Sequence, residues 1–174
     1  MRATRIGLAV LISLVAQTTY KLFIGSSTLE IDIPLVVVVA AALSGGSVIG
    51  MWTGTVAGLL QDVMSGGIIG VGGLAKSVVG FSVGLIGAQF LVTSTWERSL
   101  IVAAATVLHF YCFLGVYAVI PSAGPQMMFL TVLAQAVSNG VIALMIFFIV
   151  EHAPSVTLPL RRRRGISSRR WHVS

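Results

Sequence analysis

The sequence predicts an all-α integral membrane protein, a bundle of about six transmembrane helices, and three observations lead there. The composition is 56% hydrophobic and 9% charged. With a mean hydropathy of +1.00, that leaves too little polar surface for a water-soluble domain. Apolar runs recur at close to the roughly 20 residues that a helix needs to cross a hydrocarbon core. Finally, eight of the eleven Lys and Arg flank the apolar body: Arg2 and Arg5 at its start, and Arg161, Arg162, Arg163, Arg164, Arg169 and Arg170 after it. In a soluble chain a net charge of +6 and a pI near 10.5 would suggest nucleic acid. Basic residues bracketing an apolar body are instead a topology signal, with both termini cytoplasmic, and no nucleic acid is expected as a partner.

The first helix is read over Ile6 to Phe23. Met1 to Arg5 followed by an apolar stretch also has the form of a signal peptide, but Leu14 spoils the small-residue pair with Ala16 and the run continues, so the segment reads as a membrane helix. Ser99 to Ile120 and Met127 to Val150 have spanning length. Between the first helix and these two lie 64 residues, Ile33 to Trp96, that carry only Asp62 and Lys76 as charges. Two cytoplasmic termini require an even number of crossings, and 64 residues accommodate three spans of about 20. Breaks are expected at Ser44-Gly45-Gly46 and in the glycine-rich segment from Ser65 to Gly73, where the backbone is most permissive. Helices near 33–43, 47–64 and 74–90 follow. The first is short enough that it must either be embedded among neighbours or continue past the glycines. The glycine-rich segment is too apolar for a free aqueous loop, which predicts a partly re-entrant turn packed by protein.

The connections then carry Lys21, Glu30 and Asp32 outside, nothing charged in the glycine segment or in Pro121 to Pro125, and Glu97 with Arg98 inside. The chain divides into one transmembrane bundle over 1–150 and a basic cytoplasmic tail over 151–174, where Pro154 and Pro159 argue against a regular helix at its start. The tail arginines would set topology; they could also draw the tail to anionic lipid or a cytoplasmic protein, at about 1 kcal/mol each near the surface. Trp171 beside them could bury its ring at the interface.

Few residues are candidates for function. Gly50, Gly54 and Gly58 recur every four residues, and Gly80, Gly84 and Gly87 smooth the next helix, a small-residue pattern for close backbone packing within the bundle or against a partner's helix. Asp62 is an acid inside a membrane segment and needs a partner. Asp62 and Lys76 are equally spaced about residue 69, so a helical hairpin predicts an ion pair that pins the turn; direct contact with a partner or ligand, or snorkelling of Lys76 to the interface, are the alternatives. A second polar cluster is expected where His109 meets the level of Gln135, Ser138 and Asn139. Gln135 and Asn139, four apart, share a helix face and could hydrogen-bond His109. That cluster reads as structural, or else as the wall of a small-molecule cavity.

The lone Cys112 allows no intrachain disulfide and no cysteine pair for a metal. No metalloprotease helix, phosphate loop or nucleophile elbow is present, so neither an enzyme, a metal nor a cofactor is expected. Ser47 with His109 is the one conceivable dyad, and nothing supports it.

The stretch Gly50-x-x-x-Gly54-x-x-x-Gly58-Leu59-Leu60-Gln61-Asp62-Val63-Met64-Ser65-Gly66, followed by Gly70 and Leu74-Ala75-Lys76, resembles the signature region of the MreD family of rod shape-determining proteins. The likeness covers residues 47–90 well, with Asp32-Ile33-Pro34-Leu35 and the overall hydropathy agreeing more loosely. Gln61 stands where an aliphatic residue is usual, and the arginine-rich tail is not a family hallmark. The resemblance implies a bundle similar to the substrate-binding components of energy-coupling-factor vitamin transporters, placed in a bacterial plasma membrane as a non-catalytic scaffold for cell elongation and peptidoglycan synthesis. It implies MreC as direct partner, with MreB, RodA and a class B penicillin-binding transpeptidase in the wider assembly. Gly58, Asp62, Gly66 and Gly70 carry over as motif residues, the glycines permitting the turn and Asp62 fixing it. A vitamin-transporter component is the alternative. Such components present an Ala-x-x-x-Ala surface on the first helix, whereas here Ala9 is followed four places on by Ser13 and Ala16 by Tyr20.

Overall fold

The computed structural model describes residues 2–24, 31–66, 68–90, 92, 94–118 and 129–152. Six helices follow one another: α1 (Arg2–Ile24), α2 (Ile33–Gly45), α3 (Ser47–Ser65), α4 (Val71–Gln89), α5 (Thr95–Ala118) and α6 (Phe129–His152). No strand occurs among the described residues. Glu30, Pro121, Pro125, Pro154, Pro159, Trp171 and the tail arginines lie outside them. Four helices are long and apolar enough to cross a membrane, over Ala3–Phe23, Val71–Gln89, Thr95–Val116 and Val132–His152. The other two, α2 and α3, are not among these four. In α3, the glycines together with Gln61 and Asp62 hold the hydropathy down. With 13 residues, α2 is only about 20 Å long at 1.5 Å per residue.

That short helix is the most enclosed. Leu35, Val38, Val39 and Ala42 are each 0% exposed, so of the two readings of this segment the embedded one holds. Val36, Val39 and Ala42 pack with Val79 and Val83 of α4, Val102 and Ala105 of α5, and Ala143 and Phe147 of α6. On its other side Val38 meets Val10 and Leu14 of α1 and Ala57 of α3. Asp32 and Pro34 explain where α2 begins. The Asp32 carboxylate accepts from the Leu35 N–H at 3.1 Å, and a proline is at home in a first turn whose N–H groups lack helical partners. Gly46, at φ 91°, is the whole connection to α3.

The distribution of polarity is the reverse of a soluble protein's. Lys76, Asn139 and Thr106 are at most 1% exposed, while Leu11, Ile12, Val15, Trp52, Val63, Met145 and Ile149 are each more than half exposed. This is the arrangement expected when the solvent is lipid, which accepts apolar side chains but solvates no polar group.

The closest helix pair is the antiparallel α3–α4 hairpin. A Cβ placed on Gly50 would overlap the backbone of Gly80, on Gly54 the carbonyl of Lys76, and on Gly58 the backbone of Gly72 and Gly73. Gly84 lies equally close to Ser47, while Gly87 faces Leu43 of α2. The glycine row is therefore filled from within the bundle, and the Thr55 and Ser77 hydroxyls hydrogen-bond across the same seam at 2.6 Å. Between the helices the chain turns through Gly66 at φ 67° and Gly70 at φ 105°, backbone regions costly for residues with a Cβ. The fourth helix starts at Val71, three residues before the expected position, because the Asp62 side chain supplies acceptors for its first turn.

Substituting Gly54 by Leu should drive α3 and α4 apart, lowering the melting temperature in detergent by an amount equivalent to at least the 1–3 kcal/mol typical of overpacking. Gly115→Ala, where nothing lies within 4 Å of the added carbon, should leave it unchanged or slightly raised, and thermal unfolding of the two purified variants compares them directly.

Candidate polar site at one end of the bundle

The candidate residues gather at the end of the bundle where α1, α3 and α5 finish and α2, α4 and α6 start. Lys76, one turn into α4, is the centre. Its Nζ pairs with Asp32 Oδ2 at 2.5 Å and lies 3.2 Å from His109 Nε2 on α5. An ammonium donating to both leaves the single ring proton on Nδ1. The expected Asp62–Lys76 ion pair is thus not formed. Lys76 takes the carboxylate that caps α2, and Asp32, read from the sequence as an exposed loop charge, is buried at 5% exposure.

Asn139 on α6 extends the network. Its Oδ1 accepts from the Asp32 backbone N–H at 2.9 Å, and its Nδ2 donates to Thr106 Oγ1 at 3.1 Å, whose own hydroxyl donates to the Val102 carbonyl. From α1, Gln17 donates to the Ile31 carbonyl at 2.6 Å and accepts from the Ile33 N–H at 3.0 Å, which fastens the chain just ahead of α2. Five helices therefore meet through one set of buried hydrogen bonds. The predicted cluster of His109 with Gln135, Ser138 and Asn139 does not form as such. His109 bonds Lys76 and stacks obliquely near Phe113, with centroids 6.0 Å apart. Asn139 serves Asp32 and Thr106, and Ser138 turns back to the Ala134 carbonyl of its own helix at 2.8 Å.

Asp62, at the last turn of α3, does a different job. Its Oδ2 accepts from the N–H groups of Gly70, Gly72 and Gly73 at 2.9, 3.0 and 3.3 Å. A carboxylate set against the free N–H groups of a helix start satisfies donors that have no helical partner and complements the positive end of the helix dipole. Ser65 bonds the Gln61 carbonyl at 2.8 Å and closes the end of α3. At the opposite end of the bundle Arg98, in the first turn of α5 and not in a loop, pairs with Glu151 of α6 at 3.2 Å, and Thr95 also bonds Glu151.

Beside the network lies a cavity of about 280 Å³, with Gln17, Lys21, Asp62, Lys76, His109 and Gln135 among its lining. Among the described residues no three of His, Cys, Asp and Glu lie together so as to hold a metal ion. Sequence reasoning missed Gln17, Thr106 and the role of Asp32. The Asp-x-Pro start of α2 was the available signal for Asp32, whereas a Gln and a Thr inside apolar runs carry none.

Removing one member of the buried pair leaves an unpaired charge, so Lys76→Met or Asp32→Asn alone should destabilise by about 3–5 kcal/mol. The double variant should lose clearly less than the sum of the singles, as a double-mutant cycle on thermal unfolding would read. At the other carboxylate, Asp62→Ala should cost about 1–2 kcal/mol, the range for a lost helix cap, with Asp62→Asn costing less because an oxygen acceptor remains; the same measurement orders the two.

No curated protein and no solved structure matches the chain. The family model described as rod shape-determining protein MreD matches residues 3–153, which takes in all six helices to within a residue of either end, and the chain therefore belongs to the MreD family of rod shape-determining membrane proteins.

Proposed function

We propose that this protein is a non-catalytic scaffold of the bacterial cell-elongation machinery, embedded in the plasma membrane and binding MreC. Through MreC it would hold MreB, RodA and a class B penicillin-binding transpeptidase near one another for peptidoglycan synthesis. The observation that carries the reading is the family match over residues 3–153. The polar chemistry of the bundle is in keeping with it, because Lys76, Asp32, Asn139 and Thr106 are occupied with one another, Gln17 is occupied with the backbone of Ile31 and Ile33, and they are not arranged as a nucleophile with its base. In this reading the bundle spans the membrane with both termini cytoplasmic, the basic tail lies along the cytoplasmic surface, and the Gly66–Gly70 turn is partly re-entrant at the outer end. Since Gly50, Gly54 and Gly58 are covered by α4, the MreC helix docks on another face.

One observation favours a second reading, a bundle like those of energy-coupling-factor vitamin transporters working as a substrate-binding component. The cavity at the network end is what such a component needs. Co-purification from membranes in mild detergent, with mass spectrometry of proteins and small molecules, separates the two. The scaffold predicts that MreC is recovered with the wild-type protein. A stoichiometric vitamin with a transporter's coupling subunit, and no MreC, would replace the scaffold by the second reading.

A further inference from the structure

Three side chains on the cavity wall have polar atoms that the fold leaves unused, and helix geometry gives their direction. On α5, Val102, Ala105 and Thr106 are buried while Leu100, Ala104 and Tyr111 are exposed. At about 100° per residue, His109 falls on the face of the buried three. On α6, Gln135 stands one turn before the buried Asn139, across from the exposed Val137 and Val141. His109 and Gln135 are nonetheless only partly buried, and on inward faces that residual surface opens into the cavity they line. Lys21 extends the inward row of Leu14 and Gln17 on α1 by one turn, which sets it at the rim of the same space.

What these groups lack is an acceptor. His109 Nε2 accepts from Lys76, so its Nδ1 carries the ring proton. Among the described residues neither that N–H, the Lys21 ammonium nor the Gln135 amide has a partner. The acids on the wall are spent within the protein. Asp32 serves Lys76 and the Leu35 N–H. Asp62 turns Oδ2 to the first N–H groups of α4 and packs Oδ1 beside Gly72. Gln61 Oε1 is sealed from the space and takes no part. The wall therefore offers a free cation and two neutral donors without a free carboxylate, and where charge is poorly solvated that set selects an anionic oxygen. Phe110 and Phe113 on the same wall suit an apolar body. At about 280 Å³ the space lies just under the range of about 300–1,000 Å³ for drug-sized ligands, which restricts the occupant to a small group.

We propose that this cavity binds a carboxylate attached to an apolar body. Lys21 supplies the compensating charge, His109 and Gln135 supply neutral donors, and the phenylalanines contact the apolar part. Two sources share this chemistry: a fatty acid entering from the surrounding leaflet, and a small soluble acid. The proposal needs neither MreC nor a coupling subunit, so it stands or falls apart from both readings of the protein's function.

The test titrates the full chain, in nanodiscs of phosphatidylcholine, with benzoate, phenylacetate and octanoate, each against its own uncharged amide. Binding is read from the melting temperature and from the ring-nitrogen NMR signals of histidine-labelled protein. At least one acid should bind on the order of tenfold more tightly than its amide, as a hydrogen bond to a charged group supports, and should move the His109 signal. Preference for octanoate alone identifies the leaflet as the source, and preference for the aryl acids a soluble ligand; either supports the proposal. Lys21→Gln should abolish the preference without lowering the melting temperature of the empty protein, because the exposed ammonium bonds nothing among the described residues. Lys21→Arg, which keeps the charge, should retain the preference. No preference for any acid over its amide, or a full preference in Lys21→Gln, would overturn the proposal.

Discussion

The buried hydrogen-bond network of this bundle is organised around one cation. Lys76 is 1% exposed, and in a lipid-embedded interior an ammonium persists only with a partner at hand. Asp32 supplies it at 2.5 Å. The same carboxylate caps α2, and the Asp32 N–H is held by Asn139, which in turn binds Thr106. One charge on α4 thus couples the start of α2 to α5 and α6, with Gln17 adding α1. Apolar residues of the same volume often replace a buried pair without loss of stability. What the pair contributes is register, because sliding any of these helices by a turn would strand a charge or an amide in a medium that cannot solvate it.

A second constraint works by removing atoms. Between apolar helices in lipid there is little hydrophobic drive, and close packing takes its place. The row Gly50, Gly54, Gly58 brings α3 against the backbone of α4 at Gly80, Lys76 and Gly72, and Asp62 closes the hairpin by holding the first N–H groups of α4. Lys76 and Asp62 therefore belong to one unit. The hairpin carries the lysine to the network, and the acid determines where the lysine's helix begins. A closely packed body with apolar outer faces suits a member of a rod shape-determining membrane family.

The cavity follows from the same geometry. It lies beside the network, with Gln17, Asp62, Lys76 and His109 on its polar side and Phe110 and Phe113 on its apolar side. The cavity is at the end of the bundle opposite the start of α1 and the end of α6.

Lipid as solvent, six helices, the breaks at Gly46 and Gly66 to Gly70 and the close approach along the glycine row were all determined by the sequence itself. These depend on local quantities: summed hydropathy, and the absence of side chains at intervals of four. The choice of partners was made by tertiary structure alone. Counting along the chain puts Asp62 and Lys76 at the same depth, but depth does not specify direction around a helix. Asp62 meets the free N–H groups of the adjoining helix start, at 2.9 and 3.0 Å, while Lys76 reaches an acid 44 residues away in sequence. His109 and Asn139 were placed at a common level by similar counting, yet each turned to a different partner. Which polar groups meet depends on how helices rotate against one another, and that is settled by packing across the whole bundle, which no local stretch of sequence contains.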